Sequence, residues 1–156
     1  MKRYILLAFM IIMSQITTLD LQAASHGIGL DIIRLVDKNQ DQGMANVHGQ
    51  IGLSRDTAFA LGYAEGDSLM ILNGGIKYYF SGYFDGAFLQ FGIGYYDHDS
   101  SGDDFGFVTS IGYERHLNAF LAVSWAINMT AQVDEEIIGY PETPVFQPAM
   151  SIMATF

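Results

Sequence analysis

The chain has 156 residues, enough for one domain. Its formal charge is −10 at pH 7, from 17 acidic and 7 basic side chains, and so acidic a surface excludes nucleic acid as a partner, because phosphates need Lys and Arg. With no cysteine, the fold must be held by its core or by a closed hydrogen-bonded sheet rather than by disulfides.

Lys2 and Arg3 are followed by an uninterrupted apolar run, Tyr4 to Met13, then by a polar stretch through Ser14, Gln15, Thr17, Thr18 and Asp20, and then by the small residues Ala23 and Ala24. The run is well short of the ~20 residues of a membrane-spanning helix. The order positive, apolar, polar, small is that of a secretory signal peptide, cut after Ala23 or after Ala24. Residues 1–24 are therefore read as a removed leader and residues 25–156 as the mature domain. Removing Lys2, Arg3 and Asp20 with the leader takes the charge to −11.

Beyond residue 24 there is no long apolar run, although half of the chain is hydrophobic and 17 residues are Gly. Apolar residues instead recur at every second place, in eight segments separated by turn signals. The first is Gly27–Val36, with Ile28, Leu30 and Ile32 on one face and Gly29 and Asp31 on the other. Ala45–Leu53 and Thr57–Tyr63 follow, then Ser68–Phe80, in which Met70, Leu72, Ile76, Tyr78 and Phe80 oppose Asn73, Gly75, Lys77 and Tyr79. The alternation is cleanest in Ala87–Tyr96, Phe105–Glu114 and Leu121–Thr130. The last segment, Phe146–Phe156, puts Phe146, Pro148, Met150, Ile152, Ala154 and Phe156 on one face.

One face of every segment is greasy. The other is Gly, Ala, Ser, Asn and Gln with almost no Lys or Glu, which suits the narrow, packed interior of a small barrel with its apolar face toward lipid. The connections alternate as well. Ser54–Asp56, Ser81–Gly86 and Arg115–Asn118 are predicted turns at one end; Asp37–Met44, Ala64–Asp67, Asp97–Asp104 and Val133–Pro144 are predicted loops at the other. The acids gather in the second set, where Lys38 alone opposes them.

Leader, eight alternating strands, short turns against longer loops, and a last strand with Phe156, Ile152, Met150 and Phe146 at alternate places together resemble the small outer-membrane barrels of the OmpA-transmembrane, OmpX and opacity-protein type. Ala154 departs from the aromatic residue frequent at its place. The resemblance implies an all-β, eight-stranded antiparallel up-and-down transmembrane β-barrel in the cell outer membrane, with periplasmic termini and no wide pore. It implies that Phe156, Ile152 and Met150 carry the recognition signal for the barrel-assembly machinery. Outer-membrane lipid and lipopolysaccharide are the expected surroundings, and the barrel is expected to be a monomer without a cofactor.

Asp31, Lys77 and Glu114 fall on inward faces. Unpaired buried charge is expensive, so they are expected to form an ion-pair cluster plugging the lumen, with a switchable gate as the second reading. Asp97, Asp99, Asp103 and Asp104 carry a spacing like the first half of a calcium loop, but Val108 occupies the place of the bidentate acid. A solvated acidic tip is the first reading there and weak divalent-cation binding the second. Of the four histidines, His48 faces inward, away from any lipid substrate, and His116 sits in a predicted turn, so no hydrolase is expected. Trp125, Tyr63, Tyr78, Tyr95, Tyr113 and Phe80 read as an interfacial girdle, Tyr95 and Tyr96 less readily as a carbohydrate platform. Arg34 reads as a snorkelling side chain or a lipopolysaccharide-phosphate contact. The functional expectation is a non-enzymatic envelope barrel serving integrity or surface interaction. A narrow channel is the alternative, ahead of a lipid A-modifying enzyme or a soluble periplasmic ligand-binding barrel.

Overall fold

The structure, a computed structural model, describes residues 26–156; the leader and its cleavage sites lie outside them. The strands are β1 (His26–Asp31), β2 (Ala45–Gly52), β3 (Thr57–Glu65), β4 (Leu69–Tyr79), β5 (Asp85–His98), β6 (Gly102–Asn118), β7 (Leu121–Ala131) and β8 (Val145–Thr155). They close in sequence order into an antiparallel barrel, with β8 returning to β1. The fold is the eight-stranded up-and-down barrel that the period-two pattern predicts.

The pattern works because side chains alternate across a strand, so a closed sheet has one inner and one outer set. The outer set is apolar and exposed: Phe91, Ile93, Phe105, Phe107, Ile111, Trp125, Ile127 and Phe146 are each more than half exposed. The inner set is polar and buried, including Gln50, Lys77, Ser110, Glu114, Ser124, Thr130, Gln147 and Ser151. Gly75 and Gly92 face each other across β4 and β5. A Cβ at Gly75 would lie 2.3 Å from the Phe91 carbonyl oxygen, and one at Gly92 would lie 2.3 Å from that of Gly74. This close backbone approach, which only glycine permits, lets the sheet curve tightly.

Three predicted elements are corrected. The first strand does not reach Val36: it stops at Asp31, and Ile32–Val36 is a short helix, α1. Asp31 forces the change by capping, its Oδ1 accepting the backbone N–H of Ile33 at 3.0 Å and of Arg34 at 3.3 Å. Asp97–Asp104 is mostly strand; the β5–β6 hairpin turns at Asp99–Ser101, and Asp97 pairs with Asp103. Arg115–Asn118 is strand too, with an irregularity between His116 and Asn118, and the turn falls at residues 119 and 120. The loop before β8 carries a second short helix, α2 (Glu135–Ile138), with Asp134 as N-cap and Gly139 in the left-handed conformation at its end.

The early stop of β1 breaks the barrel wall. β1 pairs with β8 only where Gly27–Asp31 face Thr155–Ser151. Nearer the loop end, Val145–Met150 have no strand neighbour on that side among the described residues, and α1 lies against β8 in its place. The exposed edges are finished with side chains. Asp31 Oδ1 also accepts the Met150 N–H at 3.2 Å. Asn46 brackets the Asp31 backbone, accepting from its N–H at 2.7 Å and donating to its carbonyl at 2.9 Å. Met150 N–H points toward the break, so Pro148, two residues along the same edge, puts its missing donor there, the usual place for proline in a sheet.

Candidate functional site in the barrel interior

Near the turn end, Lys77 of β4 and Glu114 of β6 meet across the lumen, Nζ to Oε2 at 2.5 Å, both almost completely buried. Gln50 Nε2 donates to Glu114 Oε1 at 2.8 Å, and Tyr79 OH donates to the same oxygen at 2.6 Å. Lys77 Nζ also donates to Gln50 Oε1 at 3.1 Å and stands 3.8 Å from the centre of the Phe88 ring. The carboxylate thus has three donors and the ammonium two acceptors and a ring, the satisfaction that a buried pair requires. Asp31 is not in this cluster. Its carboxylate is spent on α1 and β8, toward the other end, because the chain needs a cap where β1 stops.

Below the pair, the β4–β5 turn folds back into the lumen. Phe84, at φ +60°, is fully buried. Its ring packs 4.2 Å from that of Tyr83 and 5.0 Å from that of His116. Phe84 clusters with Ala122 and Met153, while Tyr83 joins Tyr79 and Phe88. The rings fit because Gly27 and Gly52 leave room: a Cβ at Gly27 would lie 2.6 Å from Phe84 Cζ, and one at Gly52 would lie 2.9 Å from the Tyr83 ring. This aromatic plug is absent from the sequence reading, in which Ser81–Gly86 is an ordinary turn.

The loop end is closed by an apolar cap of Met44, Leu69, Tyr96, Val133, Ile137 and Ile138, with Tyr140 against it. Polar bonds tie the loops together over the cap. Gln147 Nε2 donates to Gln40 Oε1 at 3.0 Å and to Tyr140 OH at 2.9 Å. Asp41 accepts from Ser68 N–H at 2.8 Å, Ser68 Oγ at 2.7 Å and Leu69 N–H at 2.8 Å. Burial opposes the Asp41 charge, but these bonds outweigh it and hold its carboxyl below the ordinary 3.8. A lowered folded-state pKa gives stability that is present above the unfolded value and lost as pH falls through the folded one. The latch is therefore expected to hold through mild acid. In an NMR pH titration, the Ser68 and Leu69 amide resonances should move together only below pH 3.8; a midpoint above it would show that Asp41 is not the anchor.

Between plug and cap lies a cavity of about 120 Å³, whose polar walls include Asn46, His48, Asn73, Gln90, Asn128 and Thr130. One water needs roughly 10–15 Å³ by such a measure, so there is room for several waters or one small group. Arg34, on α1, reaches this cavity and acts electrostatically on His48, Tyr96 and Tyr140. It does not face outward to lipid, as its predicted strand position implied.

The remaining sequence candidates are not drawn into one site. Among the described residues no group of three or more acidic or His side chains is placed to hold a metal ion. Asp104 accepts instead from the Phe105 and Asp134 N–H groups, at 2.8 and 3.0 Å. The segment carrying Asp97, Asp99, Asp103 and Asp104 is a hairpin in which Asp97 pairs with Asp103. Tyr95 and Tyr96 point to opposite faces, Tyr96 inward with its OH 3.2 Å from Thr130 Oγ1, so they form no platform. Of the girdle residues, Phe80, Tyr78 and Trp125 are exposed, Tyr113 stacks on Trp125, and Tyr63 is buried against Met70. Ser100 Oγ lies 3.2 Å from His98 Nδ1, but the Ser100 N–H donates to the same nitrogen at 3.3 Å, which marks a local turn cap rather than a nucleophile and its base. His116 packs on the plug.

The barrel is similar to the N-terminal β-barrel domain of Pseudomonas aeruginosa OprF, with a TM-score of 0.57 and 12% identity over 86% of this chain and 98% of that one. At that identity the likeness is one of fold. No family model matches the sequence, and no curated protein matches it.

Proposed function

We propose that this chain is a non-enzymatic, monomeric, integral barrel of the outer membrane that serves envelope integrity or surface interaction and does not conduct at rest. One observation carries the membrane reading: the barrel is inside out. Its large apolar residues are exposed and its charged pair is buried, the arrangement that lipid rewards and water penalises. Lipid and lipopolysaccharide are then its surroundings, and the acidic loops face away from the periplasm. Met150, Ile152 and Phe156, all exposed on the outer side of the last strand, are available to the assembly machinery.

Ile127 lies midway along β7, facing outward and 54% exposed. Ile127→Arg is expected to cost about 2–4 kcal/mol in a bilayer, the depth-dependent penalty for a cation near the membrane midplane, while Ser101→Arg in the β5–β6 turn costs nothing measurable. Equal urea stability of the two variants, with detergent-free solubility of the mature chain, would favour a soluble barrel. The polar cavity supports a narrow channel as the second reading, and plug and cap count against it. Planar-bilayer recording of the refolded protein decides between them. A flat baseline supports the closed barrel. Reproducible small steps altered by Lys77→Ala or Glu114→Ala would make it a channel.

A further inference from the structure

The wall break and the cavity adjoin each other. Asp31, Arg34 and Asn46 belong both to the break and to the cavity lining. Elsewhere the cavity is bounded by paired strands, by the aromatic plug and by the apolar cap. Its least bonded boundary is thus α1, five residues long, anchored by the Asp31 cap and by the Met44 N–H to Arg34 carbonyl bond at 2.9 Å.

Arg34 has no carboxylate within ion-pair distance among the described residues, while Lys77 and Glu114 neutralise each other. The Asp31 carboxylate, three residues before it, is engaged by backbone N–H groups. A guanidinium, in a chamber whose other charged residues, Asp31, Lys77 and Glu114, are each engaged by protein partners, is complementary to an oxyanion, phosphate above all. We propose that Arg34, assisted by His48, forms a site for the phosphate group of a lipid, which enters sideways where α1 fills the barrel wall. Lipid is preferred to dissolved phosphate because of charge. The loop end bears Asp37, Asp41, Glu65, Asp67, Glu135, Glu136 and Glu142 on a chain of net −10, a field that repels small anions from solution. An amphiphile arriving through the wall avoids it. The outward residues Leu35 and Val36 of α1, 40% and 68% exposed, give its alkyl chain an apolar surface. The lateral route rests on the membrane reading above, whereas the anion site itself does not.

The test uses the refolded mature protein in zwitterionic micelles, with octyl phosphate, inorganic phosphate and octyl glucoside as three separate probes. The readouts are the Arg34 Nε–Hε and His48 ring resonances, with folding of every variant verified by heat-modifiable migration. Saturable shifts with octyl phosphate, none with octyl glucoside, and a loss of affinity of about tenfold or more in Arg34→Gln are expected, the scale of one charge-assisted hydrogen bond. His48→Gln should weaken binding less. Equal binding of inorganic and octyl phosphate would keep the anion site and overturn the lateral route. Shifts that survive Arg34→Gln, or no shift with either phosphate in a folded preparation, would overturn the site.

Discussion

Glu114→Ala is expected to destabilise the folded barrel by about 3–5 kcal/mol, the usual consequence of leaving one partner of a buried pair alone. Equilibrium urea unfolding in lipid vesicles, followed by the fluorescence of Trp125, measures it. The substitution removes the acceptor of Lys77, Gln50 and Tyr79 at once, so more than one bond is lost and the ammonium keeps Gln50 Oε1 and the Phe88 and Tyr79 rings. The double variant Lys77→Met/Glu114→Met should recover most of the loss, because apolar residues of similar volume replace a buried pair with little penalty. The pattern matters as much as the size. A loss of only about 0–1 kcal/mol, typical of a solvated pair, would mean that water reaches Glu114 and that the lumen is open from the turn end.

Phe84→Ala is expected to cost about 3–5 kcal/mol as well, the range for deleting a buried aromatic ring. The reason differs: the ring fills the mouth of the barrel between Gly27, Ala122, Met153 and His116, and the strands around it cannot collapse into the vacancy without breaking their ladder. The substitution should also open the cavity at the turn end, so small conductance steps are expected in Phe84→Ala and none in the native chain. A variant of native stability and flat baseline would show that the turn does not plug the barrel.

Strand number, facing and closure are legible in the sequence because each strand has one lipid-like and one lumen-like face, and a one-residue slip would exchange them. Lys77 and Glu114 are legible for the same reason: a charge in the inward set has nowhere to go but to another. α1 is not, because Ile32-Ile33-Arg34-Leu35-Val36 continues the apolar run and is rich in β-branched residues, and the helix comes from Asp31, a cap that also reads as an inward strand residue. α2 left a clearer sign, Asp134 followed by Glu135, Glu136 and then Gly139, the start and stop of a short helix. The acidic stretch Asp97–Asp104 reads as a loop because acids are depleted in strands, yet long hairpin arms projecting into water tolerate them. The aromatic plug is invisible because Tyr83 and Phe84 fall in a predicted turn, and no alternation shows that the turn folds inward.

Phe84 comes from the middle of the chain, yet it rests on Gly27 of the first strand and clusters with Met153 of the last. Those two strands close the barrel, and each arrives at the joint with the ring between them. The β4–β5 hairpin therefore acts as a gauge for the seam. If β1 slid by one residue along β8, Ile28 would take the place of Gly27, where a Cβ would lie 2.6 Å from Phe84 Cζ. Closure in the correct register is checked by a side chain that takes no part in the seam's hydrogen bonds.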